Sequence, residues 1–165
     1  MFRINKLTDY AVVLLVDMAR TSRVRAAHDI AAETGVPAPT VAKVMKALVR
    51  GGLVRSTRGA SGGYGLARPA ERIAVSDMIE ALEGPIAMTA CVDSAEDCCE
   101  REAYCPMAGH WNRVNVAVRT ALDGITLADM AKDAMPPAWM TPVVPRRSGA
   151  GTGAQTAPAP MEPNV

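Results

Sequence analysis

The sequence lacks the features of several large classes of protein. No apolar run approaches the roughly 18 residues of a membrane span, and the segment MFRINKLTDY lacks the apolar core and cleavage site of a secretory signal. We therefore expect a cytoplasmic protein with no membrane partner. Only two histidines are present, His28 and His110, and neither belongs to a nucleophile–base constellation. The sequence accordingly predicts neither an enzyme nor a protein that takes a small-molecule substrate.

Cysteine is scarce, and all of it lies in one acidic segment. Cys91, Cys98, Cys99 and Cys105 follow the pattern C-x6-C-C-x5-C. A chain of this length can bury a core without disulfides, and clustered thiols in a reducing cytosol more often serve metal or redox chemistry. Zinc knuckles of the C-x2-C or C-x4-C type are absent, whereas iron–sulfur clusters tolerate irregular spacing. The spacing leaves an iron–sulfur cluster, zinc, a thiol redox switch and inert free thiols open.

Acidic residues are missing from residues 34–70, which carry six Lys or Arg. Residues 1–84 hold 12 basic and 8 acidic side chains, whereas residues 85–145 hold 4 and 8. The overall net charge of +1 therefore conceals a basic N-terminal half. A local field of this kind suits a polyanion such as DNA.

Two short helices joined by a turn are predicted in AAHDIAAETGVPAPTVAKVMKALVRGGLV. Gly35 ends the first helix, and the second begins near residues 37–39 and ends at Gly51–Gly52. Its predicted buried face carries Val41, Val44, Met45 and Leu48. Its outer face carries Lys43, Lys46 and Arg50. This is the pattern of a helix-turn-helix that enters a major groove.

The next segment, LVRSTRGASGGYGLAR, predicts a strand, a glycine-rich loop and a second strand through Tyr64, Leu66 and Ala67. The loop joins two strands and lacks the G-x-x-x-x-G-K-[ST] pattern, so a wing is favoured over a nucleotide-binding loop. The predicted fold is mainly α, a winged helix-turn-helix with a β-hairpin wing and a long C-terminal dimerisation helix.

Three further helices are predicted around this motif. Thr8 or Asp9 is expected to cap the first, in LTDYAVVLLVDMAR, and Ser76 to cap the helix in IAVSDMIEALEGP, with Glu80 near the capping-box position. Thr126 is expected to cap a short last helix.

The predicted C-terminal helix has one apolar seam and is expected to end at Gly124. The seam residues are Met107, Trp111, Val114, Val118, Ala121 or Leu122, and Ile125, while Arg113, Asn115 and Arg119 lie elsewhere on the helix. The seam can pack within the chain or against a second subunit; pairing is favoured because helix-turn-helix proteins usually read two half-sites.

The chain is therefore divided into four predicted parts. Residues 1–84 form the winged helix-turn-helix domain, and residues 85–106 form a cysteine-rich cluster-binding loop. Residues 107–135 form the dimerisation helix and the short terminal helix. Residues 136–165, rich in Pro, Gly and Ala, are predicted to be disordered.

Several motifs together resemble one family over about residues 1–135. MFRINKLTDYA, the wing RGASGGYGLAR, IAVSDMIEALEG, the cysteines ahead of a long helix and ITLADM are similar to the Rrf-type iron–sulfur transcription regulators. The resemblance implies a winged-helix homodimer that binds double-stranded DNA and holds a [2Fe-2S] or [4Fe-4S] cluster near the dimer interface. TDYAVVLL and CPMAGHWNRVN look most similar to regulators of the Suf assembly system, which implies repression of cluster-assembly genes.

The resemblance also implies a set of cluster ligands. Cys91 and Cys105 match the first and third cysteine ligands, and a five-residue spacing selects Cys99 as the second. The adjacent Cys98 is a substitute ligand or a spare thiol. Asp9 falls on the position from which nitric-oxide-sensing members supply a carboxylate from the partner subunit, although an acid near a helix N-terminus is also favourable in itself.

A histidine ligand is less well matched, because the family's position three residues after the last cysteine is Ala108 here. His110 lies two residues further on, and the interpretation as a polar residue at a helix start is favoured over that of a ligand.

The resemblance implies DNA contacts from the second helix and the wing. Thr40 and Lys43 are placed to reach base edges, Lys46 and Arg50 to contact phosphates, and Arg58 to enter the minor groove. The complete predicted DNA-binding set is Thr40, Lys43, Lys46, Arg50, Arg58 and Ser61.

Overall fold

The computed structural model describes residues 4–21, 23–59, 62–92, 104–107 and 109–133. The described helices are α1 (Lys6–Thr21), α2 (Ala27–Thr34), α3 (Ala38–Arg50), α4 (Val75–Glu83), α5 (His110–Asp123) and α6 (Leu127–Asp133). An antiparallel hairpin of β1 (Val54–Thr57) and β2 (Gly63–Leu66) follows α3, and a 3-10 turn (Ala70–Arg72) precedes α4. The predictions for Ser61, Cys98, Cys99 and the tail of residues 136–165 lie outside the described residues.

The core forms where the apolar stripes of the helices meet. On α1, Leu14 and Leu15 are fully buried, as are Val41, Val44 and Leu48 on α3. Their spacing places them on one side of each helix, so the predicted buried face of α3 is confirmed. α3 also begins and ends where the sequence predicts, because Pro37 precedes its first turn and Gly51 follows its last.

The predicted cap of α1 is wrong. The Asn5 side-chain oxygen accepts hydrogen bonds from the backbone N–H groups of Leu7 at 2.8 Å and Thr8 at 2.9 Å, so Asn5 caps the helix. Thr8 lies inside the helix, fully buried, and its hydroxyl donates to the Glu83 carboxylate. Asn5, Thr8 and Asp9 can each cap a helix. Asn5 caps α1 because the Thr8 hydroxyl is bound to Glu83 inside the fold.

The predicted cap of α4 is also wrong. The Asp77 carboxylate accepts the Ala74 backbone N–H at 2.9 Å, which satisfies one free donor at the helix start. Arg68 contacts the same carboxylate oxygen at 2.7 Å and holds it there. Ser76 is instead buried in the first turn, and its hydroxyl donates to Asp123 on α5.

Helix α6 completes the core of the winged domain. Leu127 is fully buried in the same cluster as the apolar residues of α1 and α3. Its backbone N–H donates to the Ile73 carbonyl at 2.8 Å, and the Val75 N–H donates to the Ile125 carbonyl at 2.9 Å. The division of the chain at residues 84 and 107 stays a prediction, but α6 packs on the N-terminal helices.

Thr126 caps α6, as predicted. Its hydroxyl oxygen accepts the Asp129 N–H at 3.2 Å, while the Asp129 carboxylate accepts the Thr126 backbone N–H at 3.1 Å. The hydrogen bond from the Thr126 hydroxyl is the main cause that lowers the pKa of Asp129, and the backbone bond and Lys132 act in the same direction. The contribution of Asp129 to stability is therefore present near neutral pH and is lost only as the pH falls through this lowered pKa.

Two helix-ending glycines allow a matched test of packing. A Cβ at Gly51 would lie 2.6 Å from the Cβ of Ala81, whereas at Gly124 the nearest atom would be 3.5 Å away. Both residues have φ near −74°. We expect Gly51→Ala to destabilise the fold by about 1–3 kcal/mol through overpacking, and Gly124→Ala to be neutral or stabilising. Urea unfolding measures both, and equal stabilities for the two variants would contradict the packing at Gly51.

Among the described residues, no helix is both long and apolar enough to span a membrane.

Candidate DNA-binding surface and cysteine loop

A short turn joins α2 to α3. Gly35 adopts a left-handed conformation with φ of 69°, and its N–H donates to the Ala31 carbonyl at 3.0 Å, which ends α2. Pro37 leads directly into α3, so Gly35 to Pro37 form the whole connection. The predicted helix-turn-helix is therefore present, with the buried face of α3 against the core and its outer face in solvent.

The outer face of α3 carries positive charge that is not neutralised. Lys43, Lys46 and Arg50 are exposed, and within the described part of the chain none has a carboxylate in ion-pair distance. Thr40 is half-buried in the first turn of the helix. An exposed, unpaired basic stripe is what a helix needs to contact phosphates while its first turn faces base edges.

Basic residues on other surfaces differ in their pairing. Arg68 pairs with Asp77 at 2.7 Å, whereas Arg20 and Arg72 are exposed and have no ion pair among the described residues. What distinguishes α3 and the hairpin is that residues 34–70 contain no acidic side chain.

The hairpin forms the predicted wing. Val54 pairs with Leu66 and Thr57 with Gly63, so the strands are four residues long and Ala67, predicted to extend the second strand, lies just outside it. Arg58 follows β1 directly and is exposed, which places its charge on the exposed end of the wing. Together the wing and α3 present basic side chains that can contact one duplex.

The cysteine loop begins on a segment that α5 holds in place. Asn115 is only 5% exposed; its side-chain oxygen accepts the Met88 N–H at 3.0 Å, and its side-chain nitrogen donates to the Ile86 carbonyl at 2.9 Å. The sequence pattern places Asn115 off the apolar seam but offers no signal of this role, since the bonded residues lie 27 and 29 positions away. The chain is therefore fixed to α5 three residues before Cys91.

The two described cysteines flank the loop. Cys91 and Cys105 are free, half-buried thiols, and the Cys91 sulfur lies 3.2 Å from the Thr89 hydroxyl. Within the described ranges, which omit Cys98 and Cys99, no three His, Cys, Asp or Glu side chains are grouped as a metal site. Two thiols at the ends of a segment that joins α4 to α5 fit the role of outer ligands of a loop-bound group.

Asp9 lies at the same end of α1 as the loop. Asn5 and Thr8 both hydrogen-bond to Glu83, the last residue of α4, so the start of α1 is tied to the point where the loop departs. Asp9 itself is exposed. His110 is the first residue of α5 and is also exposed, consistent with a polar residue at a helix start.

The apolar seam of α5 remains in solvent. Trp111 is 37% exposed and Val114 43%, while Met107 and Ile125 flank them with about half of their surface open. Val118 is half-buried. The helix spans 14 residues and begins at His110, so the predicted long helix is shorter than the sequence pattern suggested, because Gly109 is left-handed and breaks the run from Met107.

The role of Asn115 can be tested directly. Asn115→Leu removes the hydrogen bonds to the Met88 N–H and the Ile86 carbonyl, which costs about 1–3 kcal/mol of unfolding free energy. Urea unfolding checks this value. Thr120→Ala, an exposed change on the same helix, is the control and should stay within about 0.5 kcal/mol of wild type. Equal stabilities of the two variants would contradict the anchoring role.

A helix-turn-helix with an unpaired basic outer face, followed by a basic hairpin, defines a winged-helix DNA-binding protein. Comparison with known proteins narrows this class. The profile of the family described as "Rrf2: Iron-dependent Transcriptional regulator" matches residues 4–133. The chain belongs to the Rrf2 family of transcriptional regulators. The expectation that the protein is not an enzyme is confirmed, because its homologues are regulators.

Individual relatives agree with this assignment. Protein rrf2 of Nitratidesulfovibrio vulgaris is 35% identical over 127 residues, which cover 76% of this chain and 84% of that protein. The structure of CymR, the global cysteine regulator of B. subtilis, has a TM-score of 0.61 and 29% identity, covering 82% of this chain and 100% of CymR. The structure of IscR from T. potens has a TM-score of 0.59 and 31% identity, covering 81% and 89%.

Proposed function

We propose that the protein is a cytoplasmic, dimeric repressor that reports iron–sulfur cluster status and controls Suf-type cluster-assembly genes. The observation that carries the proposal is the position of the thiols. Cys91 follows a segment that is hydrogen-bonded to Asn115 of α5, and Cys105 lies five residues before the start of the same helix in the chain.

The donor set fits an iron–sulfur cluster. Cys91, Cys99 and Cys105 would hold it, with Cys98 as the adjacent thiol and Asp9 as the candidate for the remaining position. Thiolates are the usual protein ligands of such clusters, and a carboxylate supplies an oxygen donor. The cluster, when bound, would supply a redox-active group, and its gain, loss or redox change would alter the conformation of the cysteine loop. Asp9 lies at the end of α1 that is tied through Glu83 to the loop.

The exposed seam supports pairing of two chains. Trp111 and Val114 on α5, and Ile125 just beyond the end of the helix, leave apolar surface in water, which costs hydrophobic free energy unless another surface covers it. A second copy of α5 offers the same seam in return, as a two-fold interface requires. Pairing would also bring two α3 helices into one assembly, and two half-sites are read about 34 Å apart.

Hydrogen bonds between helices would transmit a change in the cysteine loop to the DNA-binding helices and so alter the affinity for DNA. Asn115 joins the loop to α5, Ser76 joins α4 to α5, and Glu83 joins α4 to the start of α1. A change in the loop thereby reaches the helices that support α3. Thr40, Lys43, Lys46, Arg50, Arg58 and Ser61 are the proposed DNA contacts.

The proposal is tested on the full-length protein purified without oxygen. We expect a coloured protein that contains iron and acid-labile sulfide and whose footprint on a Suf-type promoter changes when the cluster is removed. A colourless protein with one zinc per chain, and promoter binding that is unchanged by chelation, would overturn the cluster proposal and leave the DNA-binding regulator in place.

A second candidate is a regulator whose loop binds zinc or senses oxidants through thiols. The structural similarity to CymR, which is described as the global cysteine regulator of B. subtilis, favours this candidate. Metal analysis and mass spectrometry after peroxide treatment separate the candidates. A nitric-oxide-sensing regulator of the same family is distinguished by bleaching of the chromophore with nitric oxide.

A further inference from the structure

One buried arginine joins three parts of the winged domain. Arg25 lies between α1 and α2 and is only 5% exposed. Its guanidinium donates to the carboxylate of Asp17 on α1 and to that of Glu33 on α2. A second arginine, Arg23, contacts Glu33 at 3.5 Å from the solvent side. The cluster thus contains two arginines and two carboxylates, with Arg25 innermost.

The main chain of the same residue holds the wing. The Arg25 N–H donates to the Tyr64 carbonyl at 3.0 Å, and the Tyr64 N–H donates to the Arg25 carbonyl at 2.8 Å. This pair forms a single antiparallel β-bridge to β2. The approach is so close that a Cβ at Gly63 would lie 2.3 Å from the Arg25 carbonyl oxygen. Glycine at position 63 is therefore required for the contact.

The wing is also held by apolar packing, since Val54 is buried and Tyr64 and Leu66 pack against the core, and by hydrogen bonds at its base. The Leu53 N–H donates to the Leu48 carbonyl at 3.0 Å, and the Ala67 N–H donates to the Leu53 carbonyl at 2.9 Å. These bonds join both strands to the end of α3. The bridge to Arg25 adds a further fixed point at Tyr64, which lies nearer to the tip of the hairpin than these bonds.

The DNA surface needs the wing in one orientation. Lys43 and Lys46 project from α3, and Arg58 stands at the far end of β1. All three can contact one rigid duplex together only if the hairpin keeps a fixed angle to α3. A buried, hydrogen-bonded charge favours a single geometry over alternatives, since any other arrangement leaves a charge unpaired.

We propose that Arg25 is a positioning residue for DNA binding, which locks the wing to α1 and α2 so that Arg58 and the basic face of α3 engage the same duplex. The proposal rests on the DNA-binding function of the family. Arg25 touches no DNA itself and acts through Tyr64 and the hairpin.

The test is a double-mutant cycle on the full chain. Arg25→Met alone would leave the Asp17 carboxylate without its ion pair and Glu33 with only Arg23. The principal variant is therefore Arg25→Met/Asp17→Asn/Glu33→Gln, which removes the buried arginine and both of its carboxylate partners together. In the wild type, Arg58→Ala should weaken operator binding by roughly tenfold. In the triple variant, the same change should weaken binding by less than about twofold, because the wing no longer reaches the duplex. Gly63→Ala, which displaces the bridge from the wing side, should also abolish the effect of Arg58→Ala.

The control separates positioning from lost stability. Leu127→Ala removes buried volume at α6 and lowers the unfolding temperature, but it does not change Arg25, Asp17 or Glu33. In the Leu127→Ala background, Arg58→Ala should still weaken operator binding by roughly tenfold. A full effect in the triple variant, or its loss in Leu127→Ala, would overturn the positioning role. Failure of the wild type to bind any operator would instead refute the DNA-binding function.

Discussion

Replacing Cys91 and Cys105 together with serine should give a colourless protein whose operator affinity no longer depends on how it was purified. Both thiols flank the loop and are half-buried, so serine is accommodated and the fold is retained. The wild type should bind the operator with affinities that differ about 5- to 150-fold between its cluster-bearing and cluster-free forms, the usual range of allosteric coupling. In the double variant that ratio should fall to one. Visible absorption, iron content and fluorescence anisotropy with operator DNA measure the three quantities.

The adjacent cysteines provide the matched control. Cys99→Ser should bleach the chromophore, whereas Cys98→Ser should leave it, since a five-residue interval to Cys105 selects Cys99. A double variant of Cys91 and Cys105 that still carries iron and sulfide would refute these two residues as ligands. The reverse outcome for Cys98 and Cys99 would exchange their roles and leave the loop as the binding segment.

Removing the charge from the outer face of α3 should produce the second large effect. In Lys43→Ala/Lys46→Ala/Arg50→Ala, three exposed side chains without carboxylate partners among the described residues are lost. Each phosphate contact contributes about 0.9 to the slope of log affinity against log salt, which amounts to about tenfold in affinity at 0.1 M salt. We therefore expect a loss of about two to three orders of magnitude, and a slope reduced by about two because Lys46 and Arg50 are the proposed phosphate contacts. Fluorescence anisotropy titrations between about 50 and 200 mM salt measure the affinity and the salt slope.

Two single changes show whether this loss is specific. Lys132→Ala on α6 removes an exposed charge that already contacts Asp129 at 3.4 Å, and it should leave the affinity and the slope unchanged. Thr40→Ala in the first turn of α3 should instead weaken discrimination between operator and random DNA while the salt slope stays constant. A triple α3 variant with the wild-type salt slope would rule out phosphate contacts from this face.

Features that depend on neighbours in the chain were predictable. The bounds of α3 follow from Pro37 and Gly51, and its buried face follows from the spacing of Val41, Val44 and Leu48. The hairpin follows from the glycine-rich loop between two short strands, and the Thr126 cap from a residue three positions later. Each signal lies within a few residues of the structure that it predicts, so no knowledge of the fold is required.

Features that depend on distant partners were missed. Thr8 and Ser76 were each predicted to cap a helix, but they bond to Glu83 and Asp123, which lie 75 and 47 positions away. Nearer residues, Asn5 and Asp77, take over the caps. A sequence pattern shows that a side chain can cap a helix, but a competing tertiary partner decides whether it does.

By itself the sequence determined the class of the protein: a basic helix-turn-helix with a wing, followed by four cysteines within fifteen positions and a helix with an apolar seam. Only the tertiary structure decided which polar side chains hold these parts together. Arg25 reads as one more basic residue and Asn115 as a surface residue of a helix, yet both are buried. Their roles arise because folding brings carboxylates and backbone groups from distant segments beside them, and a buried polar group is stable only with such partners.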